Sequence, residues 1–409
     1  MALEDQMIYK LEIANFYSVR EPQVIDLTVG RKVPEEAGRL VKIHDGSEDR
    51  APRVIAIYGA NASGKSNVLR AIAFLSWFVQ FSFEHKARTL LPYQKFLTEA
   101  LGSAPTKLSI TFAGLEEPLT DGATKTCPYV YSLELGSRSG GEDRVLHESL
   151  HYRPSGSARL VRVFERDEAG AVKVAPWLGP GREITVLESI LRPDASVIAT
   201  LGQLNNRLAL SFVQAANSID TNILLTRFER NDFDLLTGYA RNAELLSALN
   251  RDIRRIDLGV DQVQILAENG GLVASFTHAG LDQPIRMIFE SHGTQQFFRI
   301  YPTIHRALAL GGVAVIDELD VAIHPSVLPE ILRWFADPDR NPYGAQLWMS
   351  CHAVSLLDGL LKEEVLFCEK APDGATQIYG LGDIKGIRRD ENFLQNYLGG
   401  VYGGVPSIG

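Results

Sequence analysis

The sequence is short of cysteine and of positive charge. Cys127, Cys351 and Cys368 are its only cysteines, an odd number without metal-ligand spacing, which excludes a disulfide framework and predicts a reduced intracellular setting. Lysine and arginine total 41 against 50 aspartates and glutamates, a net charge of −9. That balance excludes a surface gripping nucleic acid along its whole length and leaves room only for a local basic patch. No run of about 18 apolar residues occurs, and the opening MALEDQMIYKLEI carries acids where a secretion signal needs bases. The expectation is a cytoplasmic protein with no membrane partner. Internal repeats and low-complexity tracts are missing too, and apolar heptads never persist long enough for an extended coiled-coil arm. What remains is a globular chain of 409 residues, 45% hydrophobic, able to bury a large core.

The strongest local pattern is RVIAIYGANASGKSNVLRAIAFL. Val54 to Tyr58 reads as a buried strand, the phosphate-loop pattern from Gly59 to Ser66 follows, and a periodic apolar helix comes next. Gly59 and Gly64 let the backbone wrap a phosphate, with Asn61, Ala62, Ser63 and Asn67 completing the cradle. Lys65 is a point charge for the outer phosphates, and Ser66 supplies an oxygen to Mg²⁺. Such a loop needs an acid on a neighbouring buried strand. GGVAVIDELDVAIHP provides it, with Asp317 assigned to the metal and Glu318 to general base. A third apolar run, Gln346 to Ser350, is followed by His352, placed where open α/β sheets carry their ligand edge and suited to bond the γ-phosphate or attacking water. Gln94 is the candidate for a metal-linked glutamine. The fold class is therefore α/β.

FESHGTQQFFRIY places a polar, glycine-broken loop before an apolar helix expected from Gln295 to Leu310. Ser291, Gly293 and Thr294 are either a plain helix cap or a second anion seat. The order of phosphate loop, long insertion, Ser-x-Gly-Thr helix, acidic strand and histidine resembles the ATP-binding-cassette ATPases of the SMC, RecF and OLD branch. NFYS, ESHGTQQF, DELDVAIHP and NYLGGVYGGVPSI are similar to landmarks of RloA/AbiL-type ATP-binding proteins of phage-defence loci, over roughly residues 7–166 and 289–408. The resemblance implies ATP and Mg²⁺ as ligands, and a homodimer or larger homo-oligomer of facing heads. Ser291, Gly293 and Thr294 would close in trans on the other copy's phosphates, with Asp320 in the D-loop. It also implies a separate nuclease or toxin as effector, with a RecF-like ATPase acting on duplex DNA as the alternative.

The remaining patterns supply architecture. Alternating runs from Lys107 to Arg166 predict an antiparallel sheet beside the nucleotide core. Helical patterns follow, opened by a capping box at Thr185 and Glu188, and a hairpin turns at Asn269-Gly270. The expected division is an N-terminal ATPase lobe over 1–180, a helical insertion over 181–260 and a C-terminal ATPase lobe over 261–409. Arg251, Arg254 and Arg255 read as a solvated helix face.

Overall fold

In the computed structural model the apolar run Val54–Tyr58 is an interior strand of a six-stranded sheet. The order across the sheet is Ile219–Thr221, Val313–Ile316, Gln346–Ser350, Val54–Tyr58, Val365–Lys370, Thr376–Gly380. Neighbours are parallel until the last pair, a hairpin. The structure describes the chain apart from residues 1–5, 35, 37, 88, 99–103, 118–124, 138–141, 179–180, 224, 226–231, 257–258, 269, 322 and 406–409, and the side chains of 181–182. Asn269 of the expected hairpin turn and the end of the NYLGGVYGGVPSI stretch thus lie outside the described residues.

The central strands are buried on both faces, which is why they read as continuous apolar runs rather than alternating ones. Ile55, Ile57, Val313, Val315 and Trp348 point into one core. Val54, Ala56, Ala314, Ile316, Leu347 and Met349 point into the other. Helix Lys65–Phe81 shares the first core with Leu11, Ile13, Leu108, Ile110 and Leu133 of a second, seven-stranded sheet. Wedged between two sheets, it is apolar on more than one side. That second sheet is antiparallel throughout, as expected for the region from Lys107 to Arg166, and Ile8–Ala14, Gln23–Asp26 and Val172–Val174 extend it.

Buried Gln346 ties the sheets together. Its Nε2 donates to the carbonyls of Ile8 (3.0 Å) and Pro52 (3.0 Å), while its Oε1 accepts from the N–H of Ile8 (3.1 Å) and from Trp348 Nε1 (3.0 Å). Every polar atom of the amide is used, so its burial is compensated.

Helices Gly181–Ile190, Val197–Gln203, Arg207–Asn217, Asp232–Arg241 and Ala243–Arg255 occupy the middle of the chain. Between them the strand Ile219–Thr221 joins the edge of the six-stranded sheet beside Val313–Ile316, so this segment also contributes to the core. The capping box expected at Thr185 and Glu188 is not one. The helix begins at Gly181, placing Thr185 inside it, whereas a cap must precede the first unpaired N–H groups. Ser196, Asn206 and Asn242 cap the helices that follow them. Ser196 also donates to buried Glu148 (2.6 Å), which accepts from Tyr131 Oη (2.9 Å) and Val197 N–H (2.9 Å) with Arg166 nearby at 3.9 Å. The expected hairpin pairs Val260–Glu268 with Gly271–His278, turning through Gly270 at φ 82. Arg251, Arg254 and Arg255 are exposed.

Candidate functional site

The chain leaves the buried strand Val54–Tyr58 at Gly59 and re-enters regular structure at Lys65. Two close approaches require glycine here. A Cβ on Gly59 would stand 2.2 Å from the Cys368 carbonyl oxygen, and one on Gly64 would stand 2.3 Å from Thr376 Oγ1. Both residues also sit at positive φ, 149 and 108, where a side chain is strained. The loop is braced from two directions. Thr376 Oγ1 donates to the Ser63 carbonyl (2.7 Å) and pairs with Ser18 Oγ (2.7 Å), which accepts from Asn67 Nδ2 (2.7 Å).

Lys65 curls back over the loop, its Nζ donating to the carbonyls of Gly59 (2.9 Å) and Ala60 (3.1 Å). Burial lowers its pKa, opposed by Cys368, Asp317, Glu318 and Asp320. A phosphate would offer this ammonium a full negative charge in place of two carbonyl dipoles.

The acidic strand arrives two positions across the sheet, with Gln346–Ser350 between. Ser66 Oγ donates to Asp317 Oδ1 (3.0 Å), and so does Ser350 Oγ (2.5 Å). The Asp317 backbone is clamped by Asn222, whose Oδ1 accepts from the Asp317 N–H (2.8 Å) and whose Nδ2 donates to its carbonyl (2.9 Å). A hydroxyl and a carboxylate oxygen facing each other are hard donors that fit Mg²⁺, which takes one or two protein oxygens and completes its shell with phosphate and water. No group of three or more His, Cys, Asp or Glu side chains gathers among the described residues.

A cavity of 420 Å³ lies over the loop, lined by Asn61, Ala62, Ser63, Gly64, Lys65, Ser66 and Asn67 together with Glu318 and His352. The residues assigned to phosphate, base and switch roles therefore come together from three separate sequence regions. His352 is oriented through its backbone, its N–H donating to Asp320 Oδ2 (2.8 Å). Burial and the nearby Asp320 push the adjoining Cys351 thiol up to about 12.

Ser18, Arg70, Ser350 and Lys370 also line the cavity. Arg70 stands over the Tyr17 ring, 5.3 Å from its centroid, and donates to Asn67 Oδ1 (2.9 Å). Lys370 Nζ donates to the Ala62 carbonyl (3.2 Å). With Lys65 they place three cations around one anion-sized space. The sequence pattern did not assign these roles, or those of Asn222 and Thr376, because Lys370, Asn222 and Thr376 act through contacts distant in sequence and Arg70 is set over Tyr17 as well as beside Asn67. Only the polar ending of Gln346–Ser350 hinted at Ser350.

Gln94 is not brought into this group. It is exposed, its carbonyl accepts from the Tyr17 N–H (2.8 Å), and it does not line the cavity. Ser291, Gly293 and Thr294 also stand outside the lining. The helix expected from Gln295 begins at His292, so Gly293 and Thr294 form its first turn instead of a loop. Ser291 is its cap: Oγ accepts from the Thr294 N–H (3.1 Å) and pairs with Thr294 Oγ1 (2.8 Å). A capped start is regular from its first turn. Ser291 itself is exposed.

A family model described as "AAA domain, putative AbiEii toxin, Type IV TA system" matches residues 54–137 and 186–358, more than half of the chain and both sides of the cavity. No protein of curated function matches the sequence. Among solved structures, the chain is similar to the SMC head domain from Thermotoga maritima at 14% identity and a TM-score of 0.41, over 91% of this chain and 98% of that one. It is also similar to the Smc head domain with an extended coiled coil, bound to the C-terminal domain of ScpA, from Pyrococcus furiosus. There the identity is 12% and the TM-score 0.46, over 92% of this chain and 96% of the other.

Proposed function

The chain belongs to this AAA-domain family, and from that membership and the cavity's geometry we infer that it binds and hydrolyses ATP. The observation that carries the reading is the meeting of Lys65, Ser66, Glu318 and His352 on one cavity, with Asp317 hydrogen-bonded to Ser66.

In this reading the loop's N–H groups and Lys65 hold the outer phosphates, and Arg70 and Lys370 extend the cationic wall. Ser66 and Asp317 hold Mg²⁺, which when bound neutralises charge developing on the phosphates. Glu318 accepts the proton of the attacking water, and His352 donates a hydrogen bond to the transferred group. Glu318→Gln retains the shape and removes the base. Its turnover is expected to fall by at least ~100-fold with ATP affinity retained, measured as phosphate release and nucleotide binding. Equal turnover in the two proteins removes the assignment.

The further reading is a switch. Two copies close head to head on ATP, each offering Ser291, Gly293 and Thr294 to the other's phosphates, with Asp320 at the junction. Hydrolysis reopens them and so holds or releases a separate nuclease or toxin, as the likeness to RloA/AbiL-type phage-defence proteins suggests. The exposure of Ser291 at the start of helix His292–Leu310 supports this. Residues 1–180 and 261–409 act as the two ATPase lobes, and the mostly helical segment 181–260 is inserted between them with its strand Ile219–Thr221 built into the shared sheet. The net charge of −9 gives duplex DNA no priority as a substrate. No helix among the described residues is long and apolar enough to cross a membrane.

A further inference from the structure

Glu318 has an unusual backbone. It lies at φ 53, in the left-handed region that side-chain-bearing residues rarely adopt, and the surrounding structure must hold it there. The holder is Ser350. Strands Val313–Ile316 and Gln346–Ser350 are parallel with Ile316 opposite Met349, so the next step of the register brings Ser350 beside Asp317. From there Ser350 meets three consecutive residues. Its Oγ donates to Asp317 Oδ1 (2.5 Å) and accepts from the Glu318 N–H (2.7 Å), and its carbonyl accepts from the Leu319 N–H (3.3 Å). Ser350 is fully buried yet lines the cavity.

We propose that Ser350 is a positioning residue for hydrolysis, its hydroxyl locking the backbone of Glu318 so that the carboxylate faces the cavity. Without that hydroxyl the Glu318 N–H loses its partner, and only the Leu319 N–H to the Ser350 carbonyl (3.3 Å) and the Val321 N–H to the Glu318 carbonyl (3.1 Å) are left to hold the turn. The same hydroxyl orients Asp317, so metal-loaded nucleotide should be affected more than metal-free nucleotide. The inference rests on the ATPase reading above.

The test compares wild type, Ser350→Ala and Ser350→Thr for phosphate release, and for affinity toward a fluorescent non-hydrolysable ATP analogue with and without Mg²⁺. Turnover in Ser350→Ala is expected to fall ~100-fold, the scale of a roughly 1 Å misplacement of a catalytic group. Metal-free analogue affinity should stay within about threefold, the gain in affinity on adding Mg²⁺ should shrink, and threonine should recover turnover to within about tenfold of wild type. Turnover in Ser350→Ala within about threefold of wild type overturns the proposal. So does loss of metal-free affinity in step with turnover, or a threonine variant no better than alanine, since either describes a packing residue. If wild type itself releases no phosphate, the ATPase reading fails instead, and the two failures are told apart.

Discussion

Replacing Gly64 by alanine tests whether the phosphate loop is held in shape by a specific neighbour or only by its own backbone preference. A Cβ there would lie 2.3 Å from Thr376 Oγ1 and 2.8 Å from Thr376 Cγ2. Thr376 cannot swing aside freely, because it is buried and its hydroxyl is engaged with the Ser63 carbonyl and Ser18 Oγ, each at 2.7 Å. Overpacking of this kind costs about 1–3 kcal/mol. The positive φ of 108 adds about 1–2 kcal/mol for a residue bearing a Cβ, so Gly64→Ala should destabilise by about 2–5 kcal/mol in total. The two contributions separate in a double-mutant cycle. In a Thr376→Ala background the clash with Thr376 disappears, while the 2.9 Å approach to Ser18 Oγ and the conformational part stay, giving a coupling of about 1–3 kcal/mol between the sites. Urea denaturation of the four proteins measures the coupling, and binding of a fluorescent ATP analogue reports whether the loop retains its shape. Additive effects, with Gly64→Ala equally costly with and without the Thr376 side chain, would refute the argument that Thr376 sets the room available.

Two further outcomes follow from the same geometry. Ser291→Arg puts a large cation on an exposed cap outside the cavity, so nucleotide binding should persist while hydrolysis and ATP-dependent assembly are lost; normal turnover, or assembly unchanged by sedimentation, sinks the two-copy site. Burial raises the pKa of the Glu148 carboxyl, opposed by Arg166 and by hydrogen bonds from Ser196, Val197 and Tyr131. A carboxyl whose folded pKa is raised contributes stability that is fully present below its unfolded value, about 4.3, and lost as pH rises through the folded value. Glu148→Gln should therefore lose less stability than wild type as pH climbs across that window. Parallel stability curves from denaturation at stepped pH would contradict this.

The nucleotide cradle was legible in the sequence because its parts are local. Glycine at 59 and 64, Lys65 and Ser66 are separated by a few residues, and the buried strand and helix on either side announce themselves by apolar pattern alone. Asp317, Glu318 and His352 were legible for a related reason: each stands just past a continuous apolar run, and a parallel sheet carries its chemistry at that end of its strands. The antiparallel sheet was read from its alternation. The start of helix His292–Leu310 was missed by three residues because Gly293 and Thr294 look like a loop until Ser291 is seen capping them. The strand Ile219–Thr221 escaped for a different cause. Three residues carry too little periodicity to register, and only pairing with Val313–Ile316 makes them a strand.

Composition, hydrophobic period and the spacing of a few polar residues were enough to determine the α/β class, the glycine-rich turn between a buried strand and a helix, and the place of Asp317 and Glu318 at the end of a second buried strand. These depend on what neighbouring residues do to one another along the chain. Folding alone decided that Ser350 would stand between Asp317 and Glu318, that Thr376 and Ser18 would brace the loop, that Arg70 and Lys370 would join Lys65, and that Gln94 would stay outside. Strand order and register bring Thr376 within 3 Å of Ser63 and Ser18 across more than 300 residues, Lys370 to 3.2 Å from the Ala62 carbonyl, and Ser350 against Asp317 and Glu318, and neither is written in any single segment.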